Sequence, residues 1–91
     1  MAYRLTFLAS AEADLENLDP AIRRVVLRRI VWLAENADNL VHHRLTNMPD
    51  QLTGLCRLRI GDYRVLYWTS PQDEFLTVYR IQHRREVYRD F

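Results

Sequence analysis

The sequence predicts an α+β fold: a small antiparallel sheet, mixed at its first strand, with two N-terminal helices packed on one face. Apolar and polar residues alternate in residues 2–8, 57–68 and 75–82, as they do in half-buried strands. Between the first two of these stretches the apolar residues recur at helical spacing. The 91 residues are enough for a single domain over residues 1–91, ordered strand, two helices, three strands and tail.

The N-terminal part of the chain predicts one strand and two helices. Residues 2–8 form the strand, which joins the sheet made by the later strands, and Ser10 is expected to cap a short helix over residues 11–18. Asp19 followed by Pro20 is a helix start signal, because proline suits the first helical position, where its missing N–H is not needed. This second helix is expected to run to about Glu35.

The C-terminal half predicts three antiparallel strands. Residues 40–53 read as an irregular connection, after which Gly61-Asp62 joins two apolar runs as the centre of a type II′ hairpin turn. A second turn at residues 70–73 leads to a strand over residues 75–82. Residues 83–91 are expected to form a short helix or an ordered tail.

The predicted hairpin places three arginines on one face of the sheet. With a two-residue turn Arg59 lies directly opposite Arg64, and Arg57 is two residues further along, so the three side chains share a face. The other face carries the core residues Leu58, Ile60, Tyr63, Val65 and Tyr67. Like charges directly opposite destabilise a strand pair. Either an anion such as a phosphate lies between the arginines, or they extend into solvent or pair with acids such as Asp50 or Glu86.

Composition excludes several classes of protein. No apolar run approaches the roughly 20 residues of a membrane span, and the N-terminus lacks a signal peptide's apolar centre, so a cytoplasmic protein is expected. Cys56 is the only cysteine and falls on the core face, which predicts a buried thiol in a reducing compartment. The net charge of +1 argues against a general polyanion binder. All 13 basic residues are arginine, which suits bidentate contact with phosphate, although a GC-rich genome would produce the same bias.

No metal or cofactor site is expected. His42 and His43 are adjacent, so they point in opposite directions on a strand, and no third histidine stands at ligand spacing. Glycine occurs only at Gly54 and Gly61, which excludes a glycine-rich loop for a nucleotide.

The residues that remain for chemistry are the three arginines and the C-terminal sequence QHRREVYRDF. His83, Arg84 and Tyr88 follow a strand that neighbours the arginine-bearing hairpin. Arginine binds phosphate, imidazole transfers protons near neutral pH, and tyrosine stacks on a base. Together they predict metal-free RNA cleavage, in which the 2′-hydroxyl attacks the adjacent phosphorus and arginine stabilises the phosphoryl oxygens. Taken alone, His83 is equally typical of a surface residue, and Tyr88 of a packing residue.

Four segments, MAYRLTF, HRLTNMPD, RLRIGDYRVLY and HRREVYR, resemble the RelE branch of the RelE/ParE superfamily of bacterial toxins. The resemblance covers essentially the whole chain. It implies a microbial-RNase-like fold and a metal-independent endoribonuclease that enters the ribosomal A site, cuts the mRNA and halts translation. It also implies a cognate antitoxin as partner, promoter DNA bound only through that antitoxin, and no membrane partner.

The resemblance assigns roles to the residues that match the family's basic sheet positions and terminal tyrosine. Arg64 is expected to stabilise the transition-state phosphate, Arg57 and Arg59 to orient the RNA backbone, and Tyr88 to stack on the nucleotide. The expected catalytic residues are Arg64, His83, Tyr88 and Arg57, and the expected RNA-binding residues are Arg57, Arg59 and Arg84.

The chain departs from the family's pattern at its basic positions. Leu55 stands where a further basic residue is expected, and arginine replaces lysine on the sheet. Because arginine does not give up a proton at neutral pH, a general base that is lysine elsewhere must here be another group, and His83 is the candidate. Two other functions stay open: a ParE-like toxin with the same fold that inhibits DNA gyrase, and a catalytically inactive binding module, which the loss of charge at Leu55 favours.

Overall fold

A computed structural model of the protein describes residues 2–85. Its elements are β1 (Arg4–Phe7), α1 (Ala9–Glu16), α2 (Pro20–Glu35), β2 (His43–Arg44), β3 (Cys56–Ile60), β4 (Tyr63–Ser70) and β5 (Phe75–His83). Short 3₁₀ turns occupy Ala37–Asn39 and Asp50–Leu52. The five strands form one sheet in the order β1-β5-β4-β3-β2, parallel between β1 and β5 and antiparallel between the other neighbours. The predicted α+β fold, mixed at the first strand, is confirmed.

The hydrophobic core lies between the sheet and the two helices. The buried cluster is made by Tyr3, Ala11, Val26, Ile30, Leu33, Ala37, Cys56, Val65, Tyr67, Leu76, Val78 and Ile81. Leu58 and Ile60 pack against it, so the core face predicted for the hairpin is confirmed. In α2 the buried positions recur at helical spacing, which gives this helix one apolar stripe.

The first helix begins two residues before the predicted start. The backbone N–H of Leu8 still extends the sheet by donating to the carbonyl of Val78 at 3.0 Å, while the Leu8 carbonyl already accepts the first helical hydrogen bond from Glu12. Ser10 therefore lies inside the helix, and the prediction that it caps the helix is wrong. Its hydroxyl instead donates to the carbonyl of Tyr79 at 2.6 Å and ties α1 to β5.

The second helix starts as predicted, with Asp19 before it and Pro20 at its first position. An arginine of this helix also closes the end of α1. The guanidinium of Arg23 donates to the carbonyls of Leu15, Glu16 and Leu18 at 2.8 to 3.0 Å. The last carbonyls of a helix lack the usual intrahelical donors, so Arg23 has a structural role in the joint between the helices.

The hairpin has the predicted register. Ile60 lies opposite Tyr63 and Arg59 opposite Arg64, around the two-residue turn. Of the two turn residues only Gly61 has a positive φ, of 58°, as a type II′ turn requires of its first central residue. The third strand of the meander is also present, and β5 pairs with β4 along its length.

Residues 40–53, predicted to be irregular, contain the short edge strand β2. It pairs with β3, with His43 opposite Arg57 and Arg44 opposite Cys56. The helix or tail expected over residues 83–91 continues beyond Arg85, where the described residues end. The predicted site residue Tyr88 also lies outside the described residues. Within residues 2–85, neither helix has the length and apolar character needed to cross a membrane.

Candidate nucleic-acid interface

The three arginines of the hairpin share the face of the sheet that points away from the helices. We call the surface formed by Arg57, Arg59 and Arg64 the arginine face. The pairing of Arg59 with Arg64 places two guanidinium-bearing residues directly opposite each other, and Arg57 follows two residues along β3. In the described part of the chain, Arg57 and Arg59 make no ion pair or side-chain hydrogen bond. The alternative that Asp50 neutralises them is therefore not realised, and Glu86 lies outside the described residues.

Arg64 differs from the other two arginines because it is buried. Only 6% of its surface is exposed, and its Nη1 donates to the carbonyls of Gly61 and Tyr63, both at 3.0 Å. The side chain thus bends back over the hairpin turn and fixes its guanidinium there. An arginine held in this way has little conformational freedom left to lose on contact with an anion.

Arg84 joins the arginine face at the hairpin turn. Its backbone N–H donates to the carbonyl of Asp62 at 2.7 Å, and its Nε lies 3.9 Å from Oδ1 of the same residue. Both side chains of this ion pair are mostly exposed. Water screens such a pair strongly, so Arg84 is available to an anionic partner.

His83 is not brought to the arginine face. It pairs with Tyr63, and the two rings meet edge to face with centroids 5.4 Å apart. Tyr63 belongs to the helix-facing side of β4, so His83 also lies on that side. The β5 residue opposite Arg64 is Gln82. The expectation that His83 acts together with the arginines is at odds with this placement.

A β-bulge explains the position of His83. Leu66 pairs with Arg80 whereas Tyr67 pairs with Val78, so Tyr79 is an extra residue on β5. A shift of one residue moves every following side chain to the other face of the sheet. The bulge places Ile81 in the core and leaves Gln82 beside Arg64, with His83 turned away.

Leu55, at the position where the family pattern has a basic residue, has no exposed surface. Leu66, which lies between Arg57 and Arg80 across the sheet, is also fully buried. Leu55 therefore stabilises the fold by packing, and contributes no charge to the arginine face.

His43 is a residue of this surface that the sequence did not indicate. His43 is exposed and pairs directly with Arg57, so the two side chains share a face. His42 points the other way: its Nδ1 lies 2.6 Å from the Tyr67 hydroxyl and its Nε2 2.9 Å from the Ala37 carbonyl. The opposite directions of the two histidines were predictable, but the pairing of His43 with Arg57 depends on a two-residue strand that no sequence pattern indicated.

The remaining candidate groups do not form a reactive centre. Burial raises the pKa of the Cys56 thiol, which favours its uncharged and unreactive form. The predicted burial of this cysteine is confirmed. Within residues 2–85, no three or more histidine, cysteine, aspartate or glutamate side chains are grouped so that they could hold a metal ion.

Comparison with known proteins identifies the family. Residues 5–88 match the family described as the ParE toxin of the type II toxin–antitoxin system parDE. Toxin RelG of Mycobacterium tuberculosis is 28% identical over 89 residues, covering 98% of this chain and 99% of that protein. The crystal structure of the RelBE2 toxin–antitoxin complex of M. tuberculosis contains a chain 26% identical, with a TM-score of 0.75 over 91% of this chain and 92% of that one.

A crystal structure of the archaeal RelE–RelB complex of Pyrococcus horikoshii also contains a similar chain. It is 25% identical, with a TM-score of 0.70 over 92% of this chain and 97% of that one. The fold is thus that of a small toxin. The chain belongs to the RelE/ParE superfamily of type II toxin–antitoxin toxins.

Proposed function

We propose that this toxin is a ribosome-dependent, metal-independent endoribonuclease that cleaves mRNA in the A site and inhibits translation in the cytoplasm. The observation that supports the proposal is the arginine face, where Arg57 and Arg59 lie together without a described acidic partner. Guanidinium groups held side by side repel each other, and a bridging phosphate removes that cost. A protein that only blocks another protein does not require this arrangement.

The proposed reaction uses the arginine face to hold the scissile phosphate. The RNA 2′-hydroxyl attacks the adjacent phosphorus, and negative charge accumulates on the phosphoryl oxygens. Arg64, which donates to the carbonyls of Gly61 and Tyr63 at the turn, would stabilise this charge as a catalytic residue. Arg57 and Arg59 would orient the RNA backbone, with Arg84 as a further phosphate contact. Stacking of Tyr88 on the nucleotide stays part of the proposal.

We also propose that a cognate antitoxin binds this toxin and supplies any contacts to promoter DNA. The relatives of known structure include toxins solved together with antitoxins. This chain has an apolar groove of about 350 Å³ between α2 and the hairpin, lined by Ile22, Val25 and Ile60 among others. Val25 is 53% exposed, and Val31 and Trp32 on the same helix are also exposed. An antitoxin segment that covers such side chains would gain hydrophobic stabilisation.

The proposal is tested by primer extension on a defined mRNA after the purified protein is added to a translating extract. One parallel reaction contains the same mRNA without ribosomes, and another contains the translating extract with a chelator. Cuts in register with codons, seen only on ribosomes and unaffected by the chelator, are expected. Substituting Arg59→Ala should lower the cleavage rate by about a hundredfold, because the RNA backbone is then less well oriented at the scissile phosphate. Arg28→Ala, the same change at an exposed position of α2, should leave the rate unchanged.

The match to a family described by its ParE toxin gives a second candidate function, inhibition of DNA gyrase. If the protein produces no cuts on ribosomes, a DNA supercoiling assay with purified gyrase separates the remaining possibilities. Inhibition of supercoiling would identify a ParE-like toxin. Activity in neither assay would identify a catalytically inactive binding module.

A further inference from the structure

The edge strand β2 brings an imidazole to the arginine face. His43 lies directly opposite Arg57 in the antiparallel pair with β3, and such opposed residues have Cβ atoms about 5 Å apart on the same face. Arg59 follows on β3, two residues from Arg57. The three side chains therefore share one face of the sheet, over the edge strand β2 and its neighbour β3.

An open pocket lies at this edge. It has a volume of about 340 Å³ and is lined by His43, Arg57, Leu58 and Arg59. The pocket joins an imidazole, the side chain that most often serves as a general base, to two guanidinium groups of a kind that binds phosphate. No other histidine of the described chain lies in such a setting.

The other two histidines have different environments. Both ring nitrogens of His42 are engaged, by Tyr67 and by the Ala37 carbonyl. His83 packs against Tyr63 on the helix-facing side of the sheet. His43, by contrast, is exposed and makes no hydrogen bond or ion pair within residues 2–85. Its ring nitrogens are thus accessible to a bound nucleotide.

We propose that His43 is the general base of the cleavage reaction; the inference rests on the proposed function. The reaction needs a base, and the three residues of the arginine face cannot supply one because arginine does not accept a proton at neutral pH. An imidazole beside the arginines that bind the phosphate lies within reach of the 2′-hydroxyl next to that phosphate. His43 therefore replaces His83 in this role.

A ring nitrogen of His43 takes the proton of the 2′-hydroxyl while the 2′-oxygen forms a bond to phosphorus. The bond between phosphorus and the 5′-oxygen breaks, and that oxygen takes a proton from water. The products are a 2′,3′-cyclic phosphate and a 5′-hydroxyl end. The imidazolium then returns its proton to solvent, so that no co-reactant is consumed.

The experiment compares His43→Ala and His83→Ala with the wild-type protein in single-turnover cleavage on ribosomes stalled with a defined A-site codon. His43→Ala should lower the rate at saturating ribosome by about a hundredfold or more, the usual contribution of a general base. The ribosome concentration at half saturation should stay within about twofold of the wild-type value, because binding relies on the arginines. Added imidazole should restore part of the rate to His43→Ala, which a purely structural defect would not allow.

Each other outcome overturns the inference in a different way. Wild-type protein that does not cut mRNA on ribosomes would overturn the proposed function and the role of His43 together. If the wild-type protein cuts mRNA and His43→Ala cuts it at the same rate, the role of His43 alone would be overturned. The same holds if only His83→Ala loses cleavage. If added imidazole does not restore the cleavage rate of His43→Ala, or if only the ribosome concentration at half saturation changes, His43 would have a role in folding or binding instead.

Discussion

The carboxylate of Asp14 on α1 binds Arg80 on β5 through two hydrogen bonds, from Nε at 2.8 Å and from Nη2 at 3.2 Å. The same carboxylate also accepts the backbone N–H of Ile81 at 2.8 Å. β1 ends before this point of β5, so the helix continues where the strand pairing stops. Asp14 thus satisfies a sheet-edge donor and binds Arg80 through both carboxylate oxygens.

Replacing Asp14 should destabilise the fold. Asp14→Ala removes three hydrogen bonds and leaves Arg80, a partly buried cation, without its carboxylate. The expected loss is about 2–3 kcal/mol in the free energy of unfolding. Urea denaturation followed by circular dichroism measures it. Glu12→Ala, at an exposed position of the same helix, is the matched control and should change stability by less than about 0.5 kcal/mol. Equal effects of the two changes would show that the Asp14 contacts do not stabilise the protein.

The contact between His42 and Tyr67 should appear as a coupling energy. The Ala37 carbonyl can only accept, so Nε2 of His42 carries the proton and Nδ1 accepts from the Tyr67 hydroxyl. Tyr67→Phe leaves that nitrogen without a donor and should cost about 1–2 kcal/mol. A double-mutant cycle with His42→Ala should give a coupling of about 1 kcal/mol.

The control for this cycle is Tyr79→Phe, since that hydroxyl makes no hydrogen bond within the described residues. It should change the free energy of unfolding by less than about 0.5 kcal/mol. Additive effects of Tyr67→Phe and His42→Ala would contradict the proposed hydrogen bond.

The pKa of Tyr3 should make stability depend on alkaline pH. Its hydrogen bond to the Asp38 carboxylate, together with burial, raises the pKa of Tyr3 from 10.0 to about 12 in the folded protein. The unfolded chain therefore loses this proton first as the pH rises. The stabilisation is complete below pH 10 and is lost as the pH approaches 12.

Tyr3→Phe should remove this part of the alkaline unfolding, and its stability should fall less steeply above pH 10 than that of the wild-type protein. Burial also raises the pKa of Tyr67, which contributes equally to both proteins, so the difference isolates Tyr3. Asp38→Asn is a second test, because it removes the main cause of the shift. Parallel pH profiles for all three proteins would exclude the contribution of Tyr3.

The hairpin could be predicted from the sequence because its register is set locally. Gly61 determines the turn, and the turn determines that Arg59 opposes Arg64. The edge strand β2 could not be predicted in this way. Two residues carry no periodicity, and they become a strand only because β3 offers hydrogen-bonding partners. His43 was missed for that reason.

The face of the sheet on which His83 lies could not be predicted, because no sequence pattern marks the bulge at Tyr79. The pairing of Tyr67 with Val78, continued without a bulge, would place Ile81 opposite Arg64 and His83 on the arginine face. It would also bury Arg80 and Gln82 against the helices. The bulge avoids this cost and exchanges the two faces, which shows that core packing rather than the local pattern decides the register there.

Gly61 should be sensitive to substitution although no atom stands in the way of a side chain. Its φ is 58°, and a Cβ added at this position would have nothing within 4 Å. The cost of Gly61→Ala is therefore conformational, about 1 kcal/mol once the lower entropy of the unfolded chain is included. Asp62→Ala changes the other turn residue, whose φ is not positive, and should cost less than about 0.5 kcal/mol. Urea denaturation of the two variants measures the difference. Equal stabilities of Gly61→Ala and Asp62→Ala would mean that the turn adapts to alanine by changing type. The hydrogen bond from Arg64 to the carbonyl of residue 61 should then be weakened, and the cleavage rate should fall with it.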